Sequence, residues 1–486
     1  MGQITYYSTN NKSERVNFQT ALMNGLASNY GLYMVSKEDI PRQEPAAINA
    51  MQDMSYAEIA FEVLYPFLKE EILRADLREM LEDAYDDGAI PTQVVHVTGK
   101  THIMWLTRGP TYSFKDYAAR FFGRTLNYFL KKSDLRRVVA VATSGDTGGA
   151  VADALHGLER IDNVVFFPKG SVTERQRRQM TTLGGNVYAF EVNGDFDVCQ
   201  ALAKRLLGDK EFADELFNDP DRFTSANSIS VGRLLPQAVY PFFAYSRVAR
   251  YDEPMIASVP SGNFGDMMGT VVAREMGLPI SKIVCGVNEN DEFPEFLKTA
   301  DYRVKPSKKS PSSAMIVSNP SNFARLIDLY SGHVYDKRDE TGNVIQEGVM
   351  DIRPDMEAMR RDFYSISVSN PDHYTAMREV YERFGITIEP HGAVGWRALD
   401  TYLNGNHDRL AVIYETADPG KFPDDVKKAI GVTPDIPERI AKQAKLKERI
   451  YSINDAPNIR DDGSIVLSDS QYQKAREAIK SIFSGS

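Results

Sequence analysis

The chain has 486 residues, more than one hydrophobic core usually serves, so several domains are expected. Its hydrophobic fraction of 42% and charged fraction of 26% exclude global disorder, and the absence of an apolar run near roughly 20 residues excludes a membrane-spanning helix. A formal charge of −10 argues against nucleic acid as a main partner, while only two cysteines, Cys199 and Cys285, exclude a disulfide framework and favour a reducing compartment, the cytoplasm.

The first predicted unit covers residues 1–98 and is mainly helical in pattern. One apolar stripe recurs at helical spacing and comprises Ile59, Val63, Leu64, Phe67 and Leu68. Pro66 is expected to kink or divide that helix. We expect these residues to form a separate N-terminal helical domain.

A single lysine follows the next apolar run. Residues 102–106 predict a strand, and the motif GPTYSFKD at 109–116 leads into a helix with one apolar face, formed by Phe122, Leu126, Phe129 and Leu130. Lys115 therefore lies near a helix N-terminus, where the helix dipole disfavours an added positive charge and helps keep the amine nucleophilic. A surface helix that begins with Lys-Asp is the alternative, which Lys115 alone does not exclude.

Two glycine-rich loops have the same strand-to-helix form. Residues 138–143 lead into SGDTGGA at 144–150, and residues 256–259 lead into PSGNFGD at 260–266. Glycines at such turns leave backbone N–H groups free to bind a phosphate or a carboxylate. A tight turn without a ligand explains either loop alone, but two loops and a strand-end lysine form a coherent site.

Other cofactor motifs fail on the same residues. Gly99-Lys100-Thr101 ends like a P-loop, but the glycine required five residues earlier is Val94. A GxGxxG dinucleotide fingerprint does not occur, which disfavours a nicotinamide enzyme. The seven histidines are scattered, so no metal site is predicted, and His391 is interpreted as a helix-start or packing residue.

Alternating apolar runs and helical stretches predict parallel sheets. The runs at 138–143, 164–167 and 187–192 indicate a small parallel α/β domain. Further strands near Ile256, Ile283 and Ala411 indicate a larger sheet.

The three motifs, in this order, resemble the pyridoxal 5'-phosphate (PLP) motifs of the threonine synthase family, which has fold type II within the tryptophan synthase β-like superfamily. The resemblance continues at 8–33, 224–237 and 415–423. It implies an α/β fold with large and small three-layer α/β/α domains beside the N-terminal mainly helical domain. Residues 99–135 and 236–486 would then form the large PLP-binding domain, and 136–235 the small mobile α/β domain.

The resemblance also implies which residues bind the cofactor. Lys115 would hold PLP covalently and, once displaced by the substrate amine, transfer protons. The other cofactor-binding candidates are Phe114, Ser261, Gly262, Asn263, Phe264, Gly265, Asp266 and Thr416. Thr416 would face the pyridine nitrogen, and because a hydroxyl supplies no negative charge, elimination and replacement are favoured over transamination. A cap on the following turn is the other interpretation of Thr416.

Substrate-binding candidates follow from the same resemblance. Ser144, Thr147 and loop N–H groups would bind the α-carboxylate, whereas Asp146 would accept a hydrogen bond from a backbone donor or the substrate amine. The candidates for the substrate phosphate are Asn227, Ser228, Arg233 and Lys421, because a dianion favours charge-assisted donors. One departure is Asp418-Pro419-Gly420, where a His-Pro-Ala-like sequence is expected.

The implied activity is a PLP-dependent carbon–oxygen lyase acting on phosphate. It would convert O-phospho-L-homoserine and water to L-threonine and phosphate by γ-elimination and β-addition of water, in a monomer or homodimer. One alternative is a related phospho-lyase that yields 2-oxobutyrate. Another is a non-catalytic protein that keeps the fold, which predicts loss of the lysine or of the glycine loops, yet all are present.

Overall fold

The computed structural model describes residues 4–86, 88–250, 253–339, 344–459 and 465–484. These residues form two compact units, which we treat separately. Unit 1 comprises Met1–Leu22, Leu26–Ala118 and Ser228–Asp435. Unit 2 comprises Met23–Gly25, Ala119–Asn227 and Ile436–Ser486.

The described residues form helices and strands in alternation. The strands are β1 (Tyr6–Ser8), β2 (Asn11–Val16), β3 (Tyr33–Val35), β4 (Gln93–Thr98), β5 (Thr101–Trp105), β6 (Arg137–Ala142), β7 (Ile161–Pro168), β8 (Val187–Val192), β9 (Phe223–Ser225), β10 (Met255–Pro260), β11 (Ile280–Val287), β12 (His333–Arg338), β13 (Val344–Ile352), β14 (Phe363–Ser367), β15 (Ala411–Glu415), β16 (Ile450–Ile453), β17 (Asn458–Ile459) and β18 (Ile465–Val466). The helices are α1 (Phe18–Asn24), α2 (Pro45–Ala50), α3 (Tyr56–Leu68), α4 (Arg74–Tyr85), α5 (Lys115–Lys132), α6 (Asp146–Leu155), α7 (Glu174–Thr181), α8 (Phe196–Gly208), α9 (Lys210–Phe217), α10 (Val231–Leu234), α11 (Val239–Val248), α12 (Gly265–Glu275), α13 (Glu292–Thr299), α14 (Phe323–Leu329), α15 (Met356–Asp362), α16 (Asn370–Phe384), α17 (Pro390–Leu403), α18 (Pro423–Ile430), α19 (Glu438–Gln443) and α20 (Asp469–Phe483).

A six-stranded sheet organises unit 1. Its order is β14-β11-β10-β15-β5-β4, and its strands are parallel except β4, which pairs antiparallel with β5. Strands β10 and β15 are buried along their whole length, as continuous apolar runs in parallel sheets require. Since β5, β15 and β10 are neighbours and parallel, the segments that follow them begin at one edge of the sheet.

Helices cover this sheet and fix its position. Helix α17 packs on β10, β11 and β15 through a core that includes Trp396, Ile256 and Ile413. Helix α12 also contacts β10 and β11. Trp396 is 1% exposed, so this core is fully closed.

The N-terminal part of unit 1 contains the expected helix and also a sheet. The predicted stripe lies on α3 and is buried, and Pro66 falls within α3 two residues before its end at Leu68. Strands β1, β2 and β3 form a three-stranded antiparallel sheet that a mainly helical pattern does not predict. The reason is physical: β1 and β3 have three residues each, all buried, so neither shows an alternating period. Residues 93–98 form β4 at the edge of the large sheet.

A five-stranded parallel sheet organises unit 2, in the order β16-β8-β7-β6-β9. The three predicted runs coincide with β6, β7 and β8. The unit's limits differ from the expected small domain of 136–235, because 119–135 and 436–486 belong to unit 2 and 228–235 to unit 1.

The C-terminal residues explain most of that difference. Strand β16 pairs with β8, and Tyr472, Ile479 and Phe483 of α20 enter the core that contains Phe190. This packing places residues 436–486 in unit 2, whereas the resemblance implies that they belong to the large domain. A pairing between segments so distant in the chain leaves no trace in local periodicity.

Candidate active site

Backbone hydrogen bonds hold the start of α5 beside the segment that follows β15. The Phe114 N–H donates to the Thr416 carbonyl at 2.9 Å, and the Asp418 N–H donates to the Tyr112 carbonyl at 3.1 Å. Lys115 is the next residue after Phe114 and the first of α5. The structure therefore places Lys115 and Thr416 at the same edge of the unit 1 sheet, as the sequence predicts.

The loop before Lys115 is fixed by buried polar groups. The Asp116 carboxylate, 1% exposed, accepts hydrogen bonds from the Thr111 N–H at 2.8 Å and from the Thr111 hydroxyl. Lys421 Nζ donates to the Thr111 carbonyl at 3.0 Å. The ring centroid of Phe114 lies 4.4 Å from Lys115 Nζ. These contacts define the position from which the lysine amine reaches the site.

The loop after β10 presents a row of backbone donors. Among the described residues, no protein acceptor is hydrogen-bonded to the N–H groups of Gly262, Asn263, Phe264 or Gly265. Phe264 has φ +60°, so the chain turns sharply there before α12 begins. Successive N–H groups at a helix N-terminus suit an anion.

Asp266 closes this loop. Its carboxylate, 3% exposed, accepts hydrogen bonds from the Ser261 hydroxyl and from the Met267 N–H at 2.9 Å. Burial raises the pKa of Asp266, and those two donors together with the charge of Lys115 oppose the rise. Asp266 thus holds the loop through these two hydrogen bonds, and its carboxylate feels the positive charge of Lys115.

Thr416 follows strand β15 and carries a buried hydroxyl. The residue is 4% exposed, and its hydroxyl is not hydrogen-bonded to any other described residue. Its backbone carbonyl is occupied by Phe114, so the hydroxyl remains the group available to a ligand. The Asp418 carboxylate, by contrast, is used within the protein: it accepts the Gly420 N–H at 2.8 Å and stabilises the turn.

The two charged phosphate candidates of unit 1 are buried, whereas Ser228 is half-buried. Arg233 on α10 is 4% exposed, and burial lowers the pKa of its guanidinium to about 10 against the opposing effects of Tyr240 and Asp116. Lys421 is 1% exposed. The Ser228 carbonyl accepts hydrogen bonds from Asn322 and Arg325, which places its peptide within a network discussed below.

The glycine loop of unit 2 is organised by Thr143, which the sequence analysis did not single out. The Thr143 hydroxyl accepts the N–H groups of Gly145 at 2.9 Å and Gly148 at 2.8 Å. Asp146 is 4% exposed and accepts a hydrogen bond from Gln176 Nε2 at 3.1 Å.

The remaining candidates of unit 2 differ in their accessibility to a ligand. Ser144 is exposed and Thr147 is half-buried. Asn227 Nδ2 donates to the Ala142 carbonyl at 3.4 Å, and its buried Oδ1 has no partner among the described residues.

A buried acidic cluster lies directly before Thr416. Glu415 is 0% exposed, and one of its oxygens accepts the Glu389 N–H at 3.0 Å. The Glu389 carboxylate in turn accepts the N–H groups of His391 and Gly392 and the Nδ1–H of His391 at 2.6 Å. Burial and the charges of Glu389 and Asp418 raise the pKa of Glu415 well above its usual range.

The sequence gives one signal for this cluster, a glutamate at the end of the apolar run 411–415. His391 lies in the first turn of α17, as expected, and its Nε2 accepts the Ala314 N–H at 3.1 Å. Within the described residues no cluster of His, Cys, Asp and Glu suits a metal ion, and no helix is long and apolar enough to cross a membrane.

Comparisons with known proteins agree with this geometry. Residues 104–413 match the family "Pyridoxal-phosphate dependent enzyme", residues 5–85 match "Threonine synthase N terminus" and residues 392–461 match "Threonine synthase, C-terminal". The fold is therefore that of a PLP-dependent enzyme of fold type II.

Relatives define the family more closely. The chain is 34% identical to the threonine synthase of Pseudomonas aeruginosa, with 91% of this chain and 94% of that protein covered, and 32% identical to that of Escherichia coli K12, with 90% and 94% covered. The crystal structure of PLP-bound threonine synthase from Brucella melitensis is similar at 30% identity, with a TM-score of 0.85 over 99% of both chains. The chain belongs to the threonine synthase family, whose members are PLP-dependent lyases, and the expected fold class, enzyme class and cofactor are confirmed.

The residues of unit 1 fit PLP. An amine, Lys115, lies at the sheet edge for the cofactor aldehyde. Four N–H groups that have no acceptor in the described part of the chain, from Gly262 to Gly265, suit its phosphate. The Thr416 hydroxyl suits the pyridine nitrogen without supplying charge. The donor set thus has one group for each polar end of the cofactor.

Proposed function

We propose that this chain converts O-phospho-L-homoserine and water to L-threonine and phosphate. The proposal is supported by two observations: the Phe114 N–H, next to Lys115, donates to the Thr416 carbonyl, and the charge of Lys115 acts on Asp266 of the glycine loop. Membership of the threonine synthase family supports the reaction class.

When bound, PLP supplies the electron sink that stabilises negative charge at the substrate Cα. Lys115 Nζ holds the cofactor covalently and, as a free amine, takes the Cα proton and moves protons at Cβ and Cγ. The N–H groups from Gly262 to Gly265 hold the cofactor phosphate, and Phe114 and Phe264 orient the ring. Thr416 donates or accepts at the pyridine nitrogen without a negative charge, which favours elimination.

The atoms of the reaction balance without a further reactant. Protons leave Cα and Cβ, and the Cγ–O bond breaks with its electron pair going to phosphate. Water then supplies a hydroxyl to Cβ, and protons return to Cα and Cγ, which becomes the methyl group of threonine. The second proton of water offsets the proton that the departing phosphate takes up, so the substrate and one water account for both threonine and phosphate.

Substrate groups require their own donors. Arg233, Lys421 and Ser228 of unit 1 are proposed for the substrate phosphate, because a buried Arg and Lys provide charge-assisted hydrogen bonds. Within unit 2, considered by itself, Asn227 is a proposed phosphate donor. In that unit we propose Ser144, Thr147 and the loop N–H groups for the α-carboxylate, with Asp146 restrained by Gln176.

The test is incubation of the PLP-loaded protein with O-phospho-L-homoserine while phosphate and threonine are measured together. We expect one threonine for each phosphate, and neither product from Lys115→Ala. Phosphate with 2-oxobutyrate and no threonine would favour the alternative phospho-lyase. Neither product from the loaded wild-type protein would refute the substrate assignment.

We also propose that the chain works in the cytoplasm as a monomer or homodimer. Both cysteines are free and buried, which suits a reducing compartment. Light scattering on the purified protein would give its mass in solution, and any assembly larger than two chains would contradict this proposal.

A further inference from the structure

Arg325 is a buried cation bonded only to neutral oxygens. The residue is 0% exposed and belongs to α14. Its Nε donates to the Tyr33 carbonyl at 3.0 Å, its Nη1 to Asn322 Oδ1 at 2.6 Å and the Ser228 carbonyl at 3.4 Å, and its Nη2 to the Ile229 carbonyl at 2.6 Å. Among the described residues no carboxylate is hydrogen-bonded or ion-paired with this guanidinium.

A cation in that position lacks a counter-charge. Removing a charge from water without a paired anion is unfavourable, and carbonyl dipoles offset the loss only in part. Burial alone lowers the pKa of Arg325 to about 9, so the guanidinium keeps its charge near neutral pH. The fold therefore retains a positive charge that an anion from outside the chain would complete.

The hydrogen bonds of Arg325 also orient a turn. The carbonyls of Ser228 and Ile229 point at the guanidinium, and in a trans peptide the next N–H points the opposite way. Those N–H groups belong to Ile229 and Ser230, and neither has a protein acceptor among the described residues. The Ser230 hydroxyl, in a residue 0% exposed, is also buried without a partner in the described part of the chain.

Asn322 links this turn to the cofactor loop. Its Nδ2 donates to the Asn263 carbonyl at 2.9 Å and to the Ser228 carbonyl at 3.4 Å, while its Oδ1 accepts from Arg325. The Asn322 side-chain amide thus connects the Arg325 guanidinium by hydrogen bonds to both the proposed substrate-phosphate segment and the proposed cofactor-phosphate loop.

We propose that Arg325 is a positioning residue that supplies the counter-charge for a phosphate dianion bound by the turn of residues 228–230. It aims the N–H groups of Ile229 and Ser230, together with the Ser230 hydroxyl, at the dianion without touching it. The inference rests on the proposed function, which provides two such dianions, the substrate phosphate and the cofactor phosphate. Arg325 hydrogen-bonds the carbonyls of Ser228 and Ile229, which belong to the proposed substrate-phosphate segment. The substrate phosphate is therefore the favoured dianion of the two.

The test measures inorganic phosphate binding by calorimetry on PLP-loaded protein, without turnover. Arg325→Met removes the charge and Arg325→Lys keeps it. Asn322→Asp places a carboxylate against the guanidinium, whereas Asn322→Ala loses the same amide without adding charge. We expect the phosphate Kd to rise about tenfold or more in Arg325→Met and Asn322→Asp, and by less than about threefold in the two controls.

Further readouts separate charge from structure. With O-phospho-L-homoserine, Arg325→Met and Asn322→Asp should lower kcat/KM mainly by raising KM. Titration of the apo-protein with PLP distinguishes the sources: an unchanged PLP Kd assigns the counter-charge to the substrate phosphate, and a raised PLP Kd with unchanged phosphate Kd assigns it to the cofactor. Thermal unfolding of each variant shows whether the fold is retained.

The inference would be overturned if Arg325→Met and Arg325→Lys bound phosphate and PLP equally well, and Asn322→Asp and Asn322→Ala did so too. Arg325 would then have only a structural role. Wild-type protein that does not bind inorganic phosphate, together with an unchanged PLP Kd in the variants, would overturn the inference as well. Wild-type protein that binds phosphate with the expected variant pattern but makes no threonine would refute the proposed function and leave this inference standing.

Discussion

Replacing Glu415 with Gln should stabilise unit 1 increasingly as the pH rises. Glu415 is completely buried at the end of β15, next to the proposed ring contact Thr416, and only one of its oxygens accepts a hydrogen bond. Burial is the first cause that raises the pKa of Glu415, and the Glu389 charge is the second. The folded state therefore keeps a proton that the unfolded chain releases.

The sign and size follow from proton linkage. An acid whose pKa is raised by folding lowers the stability as the pH rises above its unfolded pKa, about 4.3 for Glu. While Glu415 stays protonated in the folded state, the loss is about 1.4 kcal/mol per pH unit. Gln at position 415 does not titrate, so its advantage over wild type should grow from pH 5 to pH 7, by at most about 2.7 kcal/mol.

Urea unfolding of the apo-protein at pH 5, 6 and 7 measures this difference. Trp105 and Trp396 are the two tryptophans of the chain and both lie in unit 1, so their fluorescence reports that unit. The exposed Glu82→Gln variant serves as the control and should parallel wild type. Parallel curves for Glu415→Gln and wild type would mean that Glu415 is ionised in the fold, and the reasoning would fail.

Three further changes test other contacts of unit 1. Gly392→Ala should destabilise the unit by about 3 kcal/mol, because the new Cβ would lie 1.6 Å from Glu415 Oε2; unfolding near the wild-type midpoint would contradict that packing. Asp362→Asn should lose about 3 kcal/mol at pH 7, since Arg274 and burial make Asp362 part of a paired site. The lowered pKa of Asp362 means that its contribution is fully present above the unfolded value of about 3.9 and is lost as the pH falls from there through the lower pKa of the folded state, so a variant whose deficit grows on acidification would refute the sign. Thr416→Asp should reduce threonine formation about tenfold or more and raise the share of transamination products, while Thr416→Ser should retain the wild-type ratio; equal product ratios in both would remove Thr416 from the ring nitrogen.

The sequence predicted the parts of unit 1 that are continuous in the chain. Strands β5, β10 and β15 are unbroken apolar runs, and each ends in a short motif that carries its own chemistry. Lys115, the glycine loop after β10 and Thr416 could be placed together because parallel neighbours end at one edge of a sheet. Placing these residues together required no knowledge of other long-range contacts.

Other features depend on contacts between distant segments. Strand β16 is four residues long and reads as a strand only because β8 lies beside it. In the sequence, Arg325 has the pattern of a surface residue in an amphipathic helix. In the structure, it is hydrogen-bonded to the carbonyls of Tyr33, Ser228 and Ile229. Buried polar networks of this kind have no periodicity in sequence, so only the structure reveals them.

The central claim is that the amine of Lys115 holds the cofactor. Borohydride reduction of the PLP-loaded protein, followed by peptide mass spectrometry, locates the attached pyridoxyl group directly. Lys421 offers a comparison, since it is a buried lysine that contacts the same loop through Thr111. We expect the label on Lys115 in the wild-type protein and in Lys421→Ala, and no label in Lys115→Ala; a pyridoxyl group on Lys421 or any other lysine of the wild-type protein would contradict the account.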